Sequence, residues 1–234
     1  LFQDKPDLIY GLNSQGAFVA SIIGKIYKIP VINRFHGTDI TEKNLTNLKD
    51  QIVLFDQIAG MKAECNSVIM TNDGTKGDLI LQKLGVEKTI IRFWMNGIDK
   101  DDLIWPSKRE VKALRSKLGL NGKRVLLMVS RLVLWKRVDR GIYCLNQIRK
   151  DEGYDDLHLV IVGDGPERIN LEKYSNKLGL SQFVHFVGRI SHKFISSYYV
   201  MADIFLTLYE RSNLGNPLLE ALFFACPIVT ISDG

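Results

Sequence analysis

The sequence predicts an α/β protein made of two doubly wound parallel sheets. Three observations carry that expectation. Short apolar runs alternate with helix-length amphipathic stretches along all 234 residues, the pattern of successive β–α–β units. One run, Lys123-Arg-Val-Leu-Leu-Met-Val129, is almost continuously apolar, as a parallel strand covered on both faces must be. A charged connector, Lys100 to Asn121, divides the alternation in two. Two Rossmann-like domains are therefore expected, residues 1–106 and 107–234, facing one another. Ligands of such sheets sit beyond the carboxyl ends of the strands, so the cleft between the domains is the expected site.

In the first half, Asp7–Tyr10 reads as a strand, and Ala17–Lys28 as a helix closed by Pro30. Pro30–Phe35 is the next strand, a helix begins at Asp56–Ala59, and Ser67–Met70 is a strand. Thr75–Leu84 is a helix stopped by Gly85, followed by a strand at Thr89–Phe93. Within the connector, Val111–Leu118 is helical. In the second half, Val138, Ile142, Leu145 and Ile148 recur at helical spacing. Leu157–Val162 is a strand ending in Gly163-Asp-Gly-Pro166, and Glu167–Leu178 is a helix stopped by Gly179. Phe183–Val187, Ile204–Leu208 and the segment from Ile228 are strands, the last read as buried. Ser191–Tyr199 is a short helix, and another opens at Asn216-Pro217, with Pro217 at its first position.

Composition narrows the class. Hydrophobic content of 46% and charged content of 24% are those of a globular protein, and no apolar run approaches the ~18 residues of a membrane-spanning helix. The chain begins with Leu1 rather than Met, and its last residues read as a strand with nothing after it, so both ends are expected to be cut from a longer protein. Cys65, Cys144 and Cys226 are far apart and odd in number. They read as small apolar fillers in a reducing, cytoplasmic setting, not as metal ligands or a disulfide framework. Net charge is +5, unevenly placed: residues 1–106 carry 12 Lys/Arg against 13 Asp/Glu, and residues 107–234 carry 19 against 13. A basic second half suits a phosphate-bearing ligand or an anionic membrane surface, and equally a solvated basic face. Neither an aromatic single-strand platform nor a helix-turn-helix signature points to nucleic acid.

The richest segment runs from Ala202 to Ala221. A strand breaks into a polar turn, Glu210 to Asn216, and a helix follows. Such a unit aims free N–H groups at whatever lies above the strand, which favours an anion. Asn213 and Gly215 make the turn flexible, and its N–H groups could meet phosphate or sugar oxygens; Gly215 could equally serve a positive φ. Glu220, one turn inside the helix, is either a dipole-favoured carboxylate or an acceptor for a ribose diol. Arg131 follows the Val125–Val129 strand and Lys136 stands near the next helix. A guanidinium fork and an ammonium on one rim can hold a diphosphate and stabilise it as a leaving group, or can simply face solvent. His36 ends the Val31–Phe35 strand with Asp39 close by, a place where histidines are often structural. Gly163-Asp164-Gly165 tempts a dinucleotide assignment, but the third glycine position is Arg168, and no Gly-x-x-x-x-Gly-Lys-Ser/Thr loop exists.

Taken together these segments resemble the retaining GT-B glycosyltransferases of the group 1 family. The resemblance runs through Lys28-Ile-Pro-Val-Ile, His36-Gly-Thr-Asp39, Met95-Asn-Gly-Ile-Asp99, Val129-Ser-Arg-Leu with Lys136, Val162-Gly-Asp-Gly-Pro166, Val184-His-Phe-Val-Gly188 and Ser212-Asn-Leu-Gly-Asn-Pro-Leu-Leu-Glu-Ala221. It implies transfer of a sugar from a nucleoside diphosphate donor (UDP or GDP) to a glycan or lipid-linked acceptor, with retention, in polysaccharide or glycoconjugate synthesis. It implies that Arg131 and Lys136 hold the diphosphate, that Glu220 holds the ribose, and that the backbone near Arg189 and Ile190 meets the base. Gly163 and Asp164 would border the donor, His36 would contact the sugar near the reacting centre with Asp39 beside it, and Ser212, Asn213, Leu214, Gly215 and Asn216 would cradle sugar or phosphates. No cofactor and no metal are implied. Peripheral contact with the inner face of a membrane would suit a lipid-linked acceptor. The family usually carries two glutamates separated by seven residues; here Ser212 stands at the first, and Glu210 is two residues early. The glycine-rich acceptor loop of the family's N-terminus and the C-terminal helix that crosses back onto the first domain are both absent from these residues. A GT-B epimerase and a non-catalytic nucleotide-sugar-binding module are the alternatives.

Overall fold

A computed structural model describes residues 4–151, 153–211 and 213–231. It contains two compact units, Leu1–Asn96 and Gly97–Gly234. In the first, β1 (Ile9–Leu12), β2 (Val31–Phe35), β3 (Ser67–Thr71) and β4 (Ile91–Trp94) lie side by side in that order, all parallel. Between β1 and β2, α1 (Asn13–Tyr27) buries Ala17, Ala20 and Gly24, small residues that let the helix backbone lie close on the sheet. Three short helices, α2 (Glu42–Thr46), α3 (Leu48–Val53) and α4 (Phe55–Met61), join β2 to β3, and α5 (Gly77–Lys83) precedes β4. Phe35, Met61, Met70, Ile80 and Leu81 close the core.

The second unit begins with α6 (Lys108–Lys117). It then alternates β5 (Arg124–Val129), α7 (Val138–Asp151), β6 (Leu157–Val162), α8 (Arg168–Lys177), β7 (Val184–Gly188), α9 (Ile195–Met201), β8 (Ile204–Thr207), α10 (Asn216–Phe223) and β9 (Ile228–Thr230). The sheet is parallel, in the order β7-β6-β5-β8-β9. The chain winds outward from β5 through β7, then returns to build the other side with β8 and β9, which puts the switch point between β5 and β8. Side chains alternate across β5: Val125 and Leu127 join one core, Leu126 and Met128 the other. Both faces are covered, which is why the run reads as continuously apolar.

Several boundaries differ from the sequence expectations, for identifiable reasons. Residues 97–106, grouped on sequence with the first half, pack on the second: Leu103 is buried in its core, and the Trp105 ring meets Phe224 edge-on at 5.3 Å. The α6 helix starts three residues before Val111, because Ser107 and Glu110 form a reciprocal cap. The helices α2 and α3 were not anticipated. Thr41 caps α2 through Asn44 instead of the usual Glu or Gln, and Leu48, Ile52, Val53 and Phe55 are exposed, so no single apolar stripe marks the segment. The final strand was expected to be buried, but β9 is the sheet's edge, with Val229 47% exposed.

At the sheet's amino end, His158 of β6 and His185 of β7 lie with ring nitrogens 3.0 Å apart. Burial first, then His185, Lys123 and Arg149, lowers His158 to about 4; burial also lowers His185. An unfolded imidazole titrates near about 6.5, so the unfolded chain binds the extra proton between those values. The stability that comes from keeping His158 neutral is complete above that window and is lost as pH falls through it. Denaturant midpoints measured at pH 7.5 and pH 5 are expected to fall with acidification, and His158→Gln is expected to flatten the dependence. An unchanged slope in the variant would contradict the assignment.

Candidate functional site

At the carboxyl edge of the second sheet lies an open cleft of about 430 Å³. Four strand ends build it. Ser130 and Arg131 leave β5, Gly163 and Asp164 leave β6, Arg189, Ile190 and His192 follow β7, and Asn216, Pro217 and Glu220 come from α10, after β8. Seven residues singled out in the sequence are thus brought to one cavity: Arg131, Gly163, Asp164, Arg189, Ile190, Asn216 and Glu220. The Arg131 and Arg189 side chains are exposed. The opening turn of α10, where Leu218 N donates to Gly215 O and Pro217 has no N–H, forms part of the wall.

Backbone contact fixes the floor. Gly163 has φ +132, and a Cβ there would overlap the carbonyl oxygen of Ser130; one at Gly165 would overlap that of Leu132. Hydrogen bonds lock the same seam: Ser130 N to Val162 O at 3.0 Å, Leu132 N to Asp164 O at 3.0 Å, and Glu167 N to Leu132 O at 3.1 Å. The Gly-Asp-Gly sequence therefore serves the packing of the β6 turn on the segment that carries Arg131. Asp164 accepts from Gly165 N and pairs with Arg168 at 3.3 Å, so its charge is compensated away from the cleft.

Glu220 is 8% exposed. Its Oε2 accepts the Tyr199 hydroxyl at 2.8 Å, and its Oε1 lies 3.3 Å from His192 Nε2. Burial, with the Glu220 charge, pushes the Tyr199 phenol far above its ordinary pKa, so it remains a donor. Neither Tyr199 nor His192 was found from sequence. Tyr199 is 21 residues from Glu220, and only the β7–α9–β8–α10 winding brings them together. His192 had a weak signal: it stands in the polar turn just after Arg189 and Ile190.

The remaining candidates have other placements. The Lys136 ammonium lies over the Tyr209 ring at 3.6 Å and the Trp135 ring at 4.1 Å, an arrangement that holds a cation by ring quadrupoles. Tyr209 in turn donates to Val129 O at 2.9 Å, at the cleft wall. Asn213 is buried, and its side chain ties the loop together: Oδ1 accepts from Tyr209 N and Thr207 Oγ1, and Nδ2 donates to Tyr209 O. Leu214 packs on the core. Gly215 caps α10 at φ −81, so it does not serve a positive φ, and Pro217 is the second helical residue rather than the first. Ser212 lies outside the described residues.

In the first unit, His36 and Asp39 are exposed at the carboxyl end of β2. The loop between them is pinned from β3's end: Thr38 N donates to Thr75 Oγ1, Thr75 Oγ1 donates to Asp73, and a Cβ at Gly37 would overlap the Asp73 carboxylate. Partial burial and the Arg34 guanidinium hold His36 below its ordinary pKa, against Asp73. Among the described residues no group of three or more His, Cys, Asp and Glu comes together to hold a metal, and no helix is long and apolar enough to cross a membrane.

Two parallel-sheet units in one chain, the second with a cleft at its switch point, give the fold of GT-B glycosyltransferases. The chain belongs to the glycosyl transferases group 1 family, whose model matches residues 110–234. It is 27% identical over 230 residues to the alpha-monoglucosyldiacylglycerol synthase of Streptococcus pneumoniae, covering 93% of this chain and 51% of that one. It is 24% identical over 219 residues to the alpha-D-kanosaminyltransferase of Streptomyces kanamyceticus, covering 91% and 55%. Its fold is similar to that of HepE of Anabaena, solved in complex with UDP, with TM-score 0.80, 22% identity and 96% and 59% coverage. The chain spans about half the length of these relatives.

The glycine seam yields a comparison of two variants. Gly163→Ala combines a left-handed backbone with a carbonyl clash and is expected to cost about 3 kcal/mol. Gly179→Ala, at φ +72 with open space around it, is expected to cost only about 1 kcal/mol. Thermal or denaturant unfolding checks both; equal costs would show that the seam is not the constraint.

Proposed function

We propose that this protein transfers a sugar from a nucleoside diphosphate donor to a glycan or lipid-linked acceptor, with net retention at the anomeric carbon. The observation that carries this is the meeting of Arg131, the opening turn of α10 and Glu220 at one cavity, whose size is that of small-molecule sites. Cation and helix terminus suit a diphosphate; a carboxylate lining the same cavity suits a ribose diol. Relatives point the same way: HepE has been solved with UDP-glucose, and several similar proteins are named as transferases or synthases of α-linked sugars.

In this reaction the bond from the anomeric carbon to the donor phosphate breaks with its electron pair going to the phosphate. The acceptor hydroxyl attacks from the face the phosphate leaves, and its proton passes to a phosphate oxygen. Arg131, at the cleft, offsets the charge that develops on the leaving diphosphate; roles for Lys136 on the diphosphate and His36 on the sugar rest on the family resemblance alone. No protein nucleophile and no metal enters the scheme. The α-linked products in the relatives' names fit this outcome for an α-configured donor.

A lipid-linked acceptor is favoured by the surface of the first unit. Leu48, Ile52, Val53 and Phe55 are each more than two-thirds exposed on α3 and α4, with Lys43, Lys49 and Lys62 exposed nearby. These exposed apolar residues suit peripheral contact with a bilayer, at the cytoplasmic face of the membrane.

A thermal-shift panel of nucleoside diphosphates and their sugars on the intact protein tests the donor. One ligand set is expected to raise Tm, and Arg131→Ala is expected to abolish the shift through a loss of about 2–5 kcal/mol. An undiminished shift would remove Arg131 from the site. Turnover in EDTA is expected to equal turnover with Mg²⁺, and product analysis separates transfer from epimerisation.

A further inference from the structure

We infer that Tyr199 and His192 are positioning residues that leave Glu220 with two open acceptor sites, and that this makes the cleft select ribonucleotides over 2′-deoxyribonucleotides. The inference rests on the assignment of the cleft as a nucleotide site and adds the source of its sugar selectivity. An ionised carboxylate has about four lone-pair sites. At Glu220 two are taken: Oε2 by the Tyr199 hydroxyl at 2.8 Å, and Oε1 by His192 Nε2 at 3.3 Å, in the tautomer that carries the proton there. One site on each oxygen remains, on a side chain that lines the cleft and is otherwise buried. A cis diol brings two donors for two acceptors. A 2′-deoxyribose brings one, and leaves a desolvated carboxylate site empty, which is penalised heavily because the group is charged.

The two anchors differ in rigidity. Tyr199 is fully buried, its ring stacked on Phe224 at 15° and 5.9 Å and tilted against Phe205 at 5.6 Å. Its hydroxyl cannot turn from Glu220 unless the core moves. His192 is 55% exposed and stands in the turn between β7 and α9, so it restrains Oε1 from the solvent side. Together they fix the plane of the carboxylate from behind and from the rim. Without either, the carboxylate can rotate about its last bond and accept a single hydroxyl or water as readily as a diol.

The test measures Kd of the intact protein by calorimetry for the pairs UDP and dUDP, and GDP and dGDP, in the wild type, Tyr199→Phe, His192→Ala and His192→Gln. The base that binds better is expected to show a ribo preference of about tenfold or more, the worth of one charge-assisted hydrogen bond. Tyr199→Phe and His192→Ala are each expected to lower that ratio severalfold, and His192→Gln, which keeps a donor, to restore most of it. A merely structural role would weaken both members of a pair alike and leave the ratio fixed. Ratios unchanged within about twofold in both variants overturn the inference alone. Failure of the wild type to bind any of the four nucleotides overturns the nucleotide site, and the inference with it. If Tyr199→Phe does not fold, the His192→Ala and His192→Gln pair decides.

Discussion

Two chain segments leaving neighbouring strands touch through their backbones, and the second unit's site depends on that contact. Gly163 lies against the Ser130 carbonyl and Gly165 against that of Leu132, with no room for a Cβ at either. The seam is then bonded along its length from Val162 to Glu167. A guanidinium on a free loop would spend side-chain and backbone entropy on every binding event. Here Arg131 is flanked by two residues whose backbones are tied to the adjacent turn, so the cation is presented from a fixed base. Asp164 on the opposite side of the seam pairs with Arg168.

The same economy governs the α10 side. Gly215, in an extended conformation, starts the helix, and the buried Asn213 holds the preceding turn by three hydrogen bonds to Thr207 and Tyr209. Tyr209 reaches back to Val129 at the end of β5, and its ring lies under the Lys136 ammonium. The loop after β8 is thereby joined to the loop after β5 across the switch point. A ligand bridging the two would meet parts already organised, and preorganisation of that kind is what turns contacts into affinity.

Much of this was legible in the sequence because it follows from local chemistry. Period and length gave the strands, and continuous apolarity at Lys123–Val129 indicated a strand covered on both faces. Arg131 and Glu220 are legible because each sits where a strand ends or a helix begins, and strand ends are where doubly wound sheets bind; Gly163 and Arg189 come from the family resemblance. What was not legible depends on winding. Tyr199 and Glu220 meet only because β8 inserts beside β5, and no spacing rule encodes that. The Asn213 side chain closes its own loop, a role that the polar turn composition does not distinguish from ligand contact. The helix α3 escaped because Leu48, Ile52 and Val53 face outward, and α2 because its one apolar residue, Leu45, makes no periodic signal.

The central claim is that a nucleoside diphosphate lodges at the carboxyl edge of the second sheet. A crystal structure of the intact protein soaked with UDP or GDP tests it most directly. The account predicts diphosphate oxygens within hydrogen-bond distance of the Arg131 guanidinium, beside the opening turn of α10, and ribose hydroxyls on Glu220. A nucleotide bound on another face, or one whose ribose leaves Glu220 to Tyr199 and His192 alone, would contradict it.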